Sequence, residues 1–237
     1  MDYKEFDNYV ESRGSHTAIS FPSLMRKVYV WMTFALAITA VSAYGIAHSP
    51  RLQEVIFSSP VVFWGMIIGE LGLVVGINAA INRLSLQAAT LLFLLYSVVN
   101  GVTFSTIFMA YSPAVITKVF FITAGTFGVM AFFGSTTRRN LSVMGRFGIM
   151  ALVGVIIASV VNIFFKSTMF DFILSYLGVA VFVGLTAYDA QRIKNMLYDV
   201  EYMDESAQKI ALIGALTLYL DFINLFLYLL RIFGRER

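Results

Sequence analysis

The stretch IALIGALTLYLDFINLFLYLL, residues 210–230, is an apolar run of 21 residues that contains one charged side chain, Asp221. A helix needs about 20 consecutive apolar residues to cross the ~30 Å hydrocarbon core of a bilayer, so the run predicts a transmembrane helix. A charged aspartate at the centre of such a helix costs about 2.5–3.5 kcal/mol on insertion scales. Asp221 should therefore face the interior of a helix bundle or a water-filled cavity, and not lipid.

The composition of the whole chain also indicates a membrane protein. Of its 237 residues, 59% are apolar and 13% are charged, whereas an ordinary soluble domain has about 25% charged residues. Six further segments are apolar enough to cross a bilayer. In chain order, the seven predicted spans are residues 28–47, 57–81, 91–110, 119–133, 147–165, 172–188 and 210–230. The sequence thus predicts an all-α polytopic membrane protein with seven transmembrane helices.

The spans leave only short ends and short connections. Residues 1–27 are rich in charge and lack the apolar core of a signal peptide, so we expect a cytoplasmic N-terminal tail. Residues 28–231 are expected to form a single seven-helix transmembrane domain, followed by a basic C-terminal tail over residues 232–237. The four prolines and the short connections give no sign of a second globular domain.

The distribution of Lys and Arg predicts the orientation, because cytoplasmic loops retain these residues. With the N-terminus inside, the inner loops hold eleven of them and the outer loops hold three. Arg231, Arg235 and Arg237 would then face outward, unless the last span is re-entrant; we favour seven full crossings. The net charge of +3 needs no nucleic-acid partner, because the basic residues at the membrane ends account for it.

The second span contains an acid, Glu70, and a row of glycines. Gly65, Gly69, Gly72 and Gly76 are spaced by 4, 3 and 4 residues, which places them on one helix face. Small residues at this spacing usually let another helix approach closely, so we expect the row to serve packing. Glu70 either forms a hydrogen bond to a neighbouring helix or lies on an ion path.

Asp221 has two polar neighbours on its own helix and one candidate partner on another. Thr217 and Asn224 share its helix face, and Asn224 is a candidate for the same ion path. Asp189 directly follows the sixth apolar run, at the inner margin of the membrane. Two ideal antiparallel helices would leave Asp189 and Asp221 on the order of 10–15 Å apart in depth. Spacing alone therefore leaves their contact open.

The segments around these two aspartates resemble one known family. GLTAYDAQRIK (residues 184–194), followed by ALTLYLDFINLFLYLLRIFG (residues 215–234), is similar to the signature of the Bax inhibitor-1 family, also called the transmembrane Bax inhibitor motif family, in its bacterial branch. The resemblance covers essentially the whole chain. It implies six helices around a central C-terminal helix, and a pH-sensitive calcium leak channel. For a bacterial protein, the membrane would be the inner membrane.

The resemblance also implies roles for individual residues. Asp189 and Asp221 match the hydrogen-bonded pair that senses pH near the cytoplasmic mouth, and Arg83 is the candidate for an arginine that latches onto this pair. Glu70 matches an acid in the second span. Two carboxylates that share one site do not both ionise easily, and Ca²⁺ prefers carboxylate oxygens, so the pair is also a candidate calcium site. The alternative is a buried acid pair that only fixes helix packing.

Two other functions remain open, and we expect neither an enzyme nor a cofactor. A diaspartyl intramembrane protease would need a GxGD motif at the second aspartate and a later PAL motif, but the sequence reads LYLD there and has no proline after Pro113. The other alternative is a non-transporting regulator that binds membrane proteins, such as a quality-control protease or a death-pathway component. The expected partners are the lipid bilayer, Ca²⁺ or another cation, and such membrane proteins.

Overall fold

The computed structural model describes residues 3–200 and 204–234, with side chains from residue 22 onward. Within these ranges the chain forms eight α-helices and no strand. They are α1 (Tyr3–Ala47), α2 (Pro50–Phe57), α3 (Pro60–Ala80), α4 (Leu86–Ala110), α5 (Pro113–Thr136), α6 (Ser142–Phe165), α7 (Thr168–Tyr198) and α8 (Glu205–Phe233). All except α2 contain a segment long and apolar enough to cross a membrane, so the predicted all-α fold with seven transmembrane helices is confirmed.

Serine and proline determine where three helices begin. Pro50, Pro60 and Pro113 each occupy the first position of a helix, directly after a serine N-cap. A proline lacks only an N–H that would be unpaired at this position, and its fixed φ already suits the helix. At α5 the Ser112 hydroxyl also accepts a hydrogen bond from the Val115 N–H at 3.5 Å.

The structure describes part of each predicted tail. The backbone of α1 is helical from Tyr3, and the apolar span begins only at Pro22 within that helix. Most of the expected N-terminal tail is therefore continuous with the first span. Helix α8 runs to Phe233, and residues 235–237 of the expected C-terminal tail lie outside the described residues.

Helix α2 was not predicted, because its eight residues include polar and charged side chains that interrupt any apolar run. Its Gln53 Nε2 donates hydrogen bonds to the carbonyls of Ala47 at 2.6 Å and Ile46 at 3.3 Å. These carbonyls belong to the end of α1, where backbone acceptors have no helical partner. Helix α2 thus caps the first span.

The chain divides into two compact units. Unit 1 contains the chain as far as Ile107 together with Ile193–Leu216, and unit 2 contains Phe108–Arg192 and the part of α8 from Thr217 onward. In unit 1, Thr39 of α1 donates a hydrogen bond to the Ser97 carbonyl of α4 at 2.9 Å. In unit 2, the Phe222 ring of α8 lies 5.7 and 5.5 Å from two rings of α5, those of Phe120 and Phe127.

The C-terminal helix is the most deeply buried span. Of its most apolar window, 67% is buried, against 6–33% for the other six spans. Six of the largest fully buried side chains lie on it: Leu212, Leu216, Leu218, Tyr219, Leu225 and Leu230. Most of the apolar surface of the C-terminal helix therefore meets protein instead of lipid, as expected of the central helix that the resemblance implies.

The glycine row on α3 does not pack as predicted. A Cβ added at Gly65, Gly69, Gly72 or Gly76 would meet no other atom within 4 Å. Helix α3 has a single buried residue among those described, Ile77. The packing interpretation is therefore wrong within this chain, because the glycine face points away from it.

Candidate functional site

The structure brings Asp189 and Asp221 together within unit 2. Asp189 lies on α7 and Asp221 on α8, and their side chains form a hydrogen bond to each other. The residues are only 9% and 5% exposed. A carboxylate can only accept hydrogen bonds, so a bond between two carboxyl groups needs a proton on one of them. The spacing of the two aspartates in the sequence had not decided whether they are in contact.

The connection between α7 and α8 makes the contact geometrically reasonable. Helix α7 continues 9 residues beyond Asp189 to Tyr198, about 14 Å, and Asp221 lies 16 residues after Glu205, about 24 Å along α8. The two path lengths differ by about 10 Å. A connection of six residues, 199–204, is long enough to make up this difference, because six residues span up to about 20 Å when extended. Asp189 is thus inside a long helix, and not at the end of a short one.

Several buried apolar side chains lie near Asp221. Leu218 and Leu225, one helical turn to either side, are fully buried, and the adjacent Phe222 packs against two phenylalanine rings of α5. The Oδ2 atom of Asp221 is buried and has no hydrogen-bond partner among the described residues. Since a charge without a partner is costly in such surroundings, two ionised carboxylates here would strongly favour a change of packing or the entry of a cation.

Arg192 is a site residue that the sequence analysis missed. It follows Asp189 by three residues on α7, is exposed, and interacts electrostatically with the Asp189 carboxyl. Residues three apart on a helix are neighbours. The Asp-x-x-Arg spacing was therefore the available signal for a cation beside the pair.

Gln191 was also missed, and it ties a loop to the helix that carries Asp189. Its side chain is 8% exposed. The Oε1 atom accepts a hydrogen bond from the Leu141 N–H at 2.8 Å, and Nε2 donates one to the Arg139 carbonyl at 2.8 Å. Both partners belong to the connection between α5 and α6. Gln191 belongs to the YDAQ segment that carries the family resemblance, but the sequence analysis assigned it no role.

Two other predicted site residues, Arg83 and Asn224, form hydrogen bonds to residues three or four positions away in the chain. Arg83 is exposed in the turn after α3, in unit 1, where its backbone N–H donates to the Ala80 carbonyl at 2.8 Å. Asn224 is half-buried, and its amide donates to the Leu220 carbonyl of its own helix at 2.8 Å. The latch role of Arg83 and the ion-path role of Asn224 remain predictions.

Glu70 lies on α3 in unit 1, so it belongs to a different unit from the aspartate pair. It is half-buried and accepts a hydrogen bond from the Thr103 hydroxyl of α4 at 2.5 Å. The structure therefore contains the expected hydrogen bond to a neighbouring helix. A place for Glu70 on an ion path remains a prediction.

The aspartate pair suits a calcium ion in chemistry but supplies only part of a calcium site. No group of three or more His, Cys, Asp or Glu side chains placed to hold a metal occurs in the described part of the chain. Two carboxylates offer at most four oxygens, whereas Ca²⁺ takes six to eight. Backbone carbonyls or water would have to complete the shell.

Residues 22–237 match the model of the family described as "Inhibitor of apoptosis-promoting Bax1". The match includes every helix that spans the membrane and both aspartates of the pair. The chain belongs to the Bax inhibitor-1 family. It is therefore an integral membrane protein of that family, as the YDAQ and LYLDFINLF segments predicted.

Individual members of the Bax inhibitor-1 family are similar over nearly their whole length. The "Inner membrane protein YbhL" of Escherichia coli is 48% identical over 90% of this chain and 92% of its own length. A protein of Borreliella burgdorferi is 47% identical over 90% of this chain and 92% of its own. An uncharacterized membrane protein of Streptococcus pyogenes is 36% identical over 89% of this chain and 91% of its own.

Proposed function

We propose that this Bax inhibitor-1 family member is a pH-sensitive cation leak channel that conducts calcium, with Asp189 and Asp221 as its pH sensor and gate. The observation that carries the proposal is the hydrogen bond between two buried carboxyl groups on α7 and α8. The two groups titrate as a pair, so a single proton decides whether the two helices are held together or pushed apart.

The sign of the pH dependence distinguishes two mechanisms. If repulsion between two ionised carboxylates opens the path, flux rises with pH, because the shared proton is lost at high pH. If a guanidinium latches onto the ionised pair, flux falls with pH, because protonation releases the latch. Arg83 is the latch candidate from the family resemblance, and Arg192 is the cation that interacts electrostatically with Asp189.

Charge matching favours a divalent cation at this pair. Two ionised carboxylates carry two negative charges, and Ca²⁺ would neutralise both in an apolar environment where an uncompensated charge is costly. The two carboxylates also supply oxygen ligands, which Ca²⁺ prefers. In this proposal calcium is the transported ion, and no cofactor takes part.

The test is calcium flux into liposomes that carry the purified protein, measured from about pH 5.5 to about pH 8.5, because burial changes the pH at which a carboxyl loses its proton. Wild type should leak with a pH dependence that Asp189→Asn and Asp221→Asn each abolish. Asp199→Asn is the matched control, since Asp199 is an exposed acid in the α7–α8 connection. It removes the same charge and should leave the profile unchanged.

Two other outcomes would replace the proposal. Wild-type flux no higher than that of empty liposomes at any pH would favour the packing role of the pair and the regulator that binds other membrane proteins. Cleavage of a membrane peptide that requires both Asp189 and Asp221 would favour a diaspartyl protease.

The proposed setting is a bacterial inner membrane with a cytoplasmic N-terminus. The name of the Escherichia coli relative supports the inner membrane, and the distribution of Lys and Arg supports the orientation. The proposed partners are the lipid bilayer, the conducted cation and, in the regulator alternative, other membrane proteins.

A further inference from the structure

Unit 1 contains a second buried polar cluster that the proposed function does not use. Tyr96, Asn100 and Thr103 follow one another on α4 at spacings of four and three residues, so they share one helix face. Tyr96 and Asn100 are only 4% and 6% exposed. The cluster therefore lies inside the protein at a depth where polar side chains are costly and usually functional.

Two contacts join these residues to Glu70 of α3, and a third joins two of them to each other. The Thr103 hydroxyl donates to Glu70 Oε1 at 2.5 Å. The Asn100 amide donates to the Tyr96 hydroxyl at 3.3 Å, and Glu70 interacts electrostatically with Tyr96. One carboxylate, one amide and two hydroxyls from two neighbouring helices thus form a single cluster.

One acceptor in this cluster is unsatisfied. Asn100 Oδ1 is buried and has no hydrogen-bond partner among the residues that the structure describes. Buried polar atoms in folded proteins nearly always have a partner, and those without one call for an explanation. The amide that carries this oxygen contacts the Tyr96 hydroxyl through its Nδ2 atom, and amide, phenol and carboxylate oxygens are typical ligands for a hard cation.

We propose that Glu70, Tyr96 and Asn100 bind a monovalent cation of the sodium class. The single carboxylate of the cluster favours a cation with a single positive charge, which would neutralise it. A divalent cation would leave one positive charge uncompensated in apolar surroundings. The aspartate pair differs in this respect, because it carries two carboxylates. The proposal does not rest on the conductance proposed above, since a cation bound in unit 1 is measurable in a protein that conducts nothing.

Thermal unfolding of the full chain in detergent tests this site. NaCl replaces choline chloride at constant ionic strength, and a ligand that binds only the folded state raises the midpoint as its concentration increases. Wild type should show a saturable rise with Na⁺. Glu70→Gln and Asn100→Leu should lose that rise, while Asn162→Leu, which removes a half-buried amide of unit 2, should keep it.

A change of valence gives a sharper test. Asn100→Asp adds a second carboxylate to the cluster, so the variant should be stabilised by Ca²⁺ in place of Na⁺. If Glu70→Gln or Asn100→Leu does not fold, broadening of the ²³Na NMR signal by wild-type protein, reversed by competing Li⁺, provides an independent readout.

The proposal is overturned if the wild-type midpoint is the same in Na⁺ and choline and the ²³Na line is unaffected. It is also overturned if Glu70→Gln and Asn100→Leu respond to Na⁺ as wild type does, because a buried water could then explain the unpaired oxygen. Loss of calcium flux in the liposome test would leave the sodium result intact, so the two proposals fail separately.

Discussion

At the scale of single residues, Gln191 shows how a side chain two positions from Asp189 connects α7 to a loop. Its amide bonds both the Leu141 N–H and the Arg139 carbonyl. Leu141 is buried, so water does not easily replace the glutamine there, whereas Arg139 is exposed. The hydrogen bond to Leu141 should therefore carry most of the contribution of Gln191 to stability.

Gln191→Leu should lower the free energy of unfolding by about 1–3 kcal/mol, the cost of a buried donor that loses its partner. Gln191→Glu keeps the acceptor for Leu141 and should cost less. Gln87→Leu is the control, because Gln87 is exposed on α4 and should change stability by less than about 0.5 kcal/mol. Denaturant unfolding in detergent measures all three, and equal losses for Gln191→Leu and Gln87→Leu would contradict this role.

At the scale of helices, α5 and α7 approach closely at one glycine. A Cβ on Gly134 would overlap the backbone carbonyl of Ala187, and backbone cannot move aside as a flexible side chain can. Ala187 precedes Asp189 by two residues on α7. The close approach of these helices therefore helps to place the aspartate pair.

Gly134→Ala should destabilise the protein by about 1–3 kcal/mol, as overpacked cores do. The matched control is Gly128→Ala on the same helix, where an added Cβ meets no atom within 4 Å. This control should be neutral or stabilise by up to about 1 kcal/mol, because alanine favours helix more than glycine does. Thermal midpoints in detergent decide the comparison, and similar midpoints for the two variants would refute the close approach.

At the scale of the whole molecule, the basic C-terminal end of α8 is the exception to the distribution of Lys and Arg. Helix α8 has 29 residues, about 44 Å, which is enough to cross a bilayer. Arg231 lies 3.8 Å from the Asp171 carboxylate and 5.5 Å from the centre of the Tyr228 ring. Its charge is thus partly compensated within unit 2, which fits a full crossing better than a re-entrant helix.

The orientation can be tested cleanly because the chain has no cysteine. Single cysteines at Lys166, between α6 and α7, and after Arg237 should react with a membrane-impermeant maleimide from outside the cell. Arg138→Cys, between α5 and α6, should react only after permeabilisation. If the cysteine after Arg237 also required permeabilisation, α8 would not cross the membrane.

The seven spans and the inward position of Asp221 could be predicted from the sequence alone. The reason is that the bilayer acts as a solvent of known thickness, so the length of an apolar run and the cost of a buried charge are properties of local composition. The family, too, was recognisable from the two segments around Asp189 and Asp221. Local composition was less informative for α2, which is short and polar.

Only the tertiary structure decided which residues meet. The contact of Asp189 with Asp221 joins two different helices, α7 and α8, and Gln191 has hydrogen-bond partners some fifty positions away along the chain. The glycine row on α3 has a packing pattern but faces outward. Helix periodicity specifies which side chains share a face of a helix. It does not specify which other helix that face meets, because this depends on the rotation and depth of each helix, which follow from packing and connections.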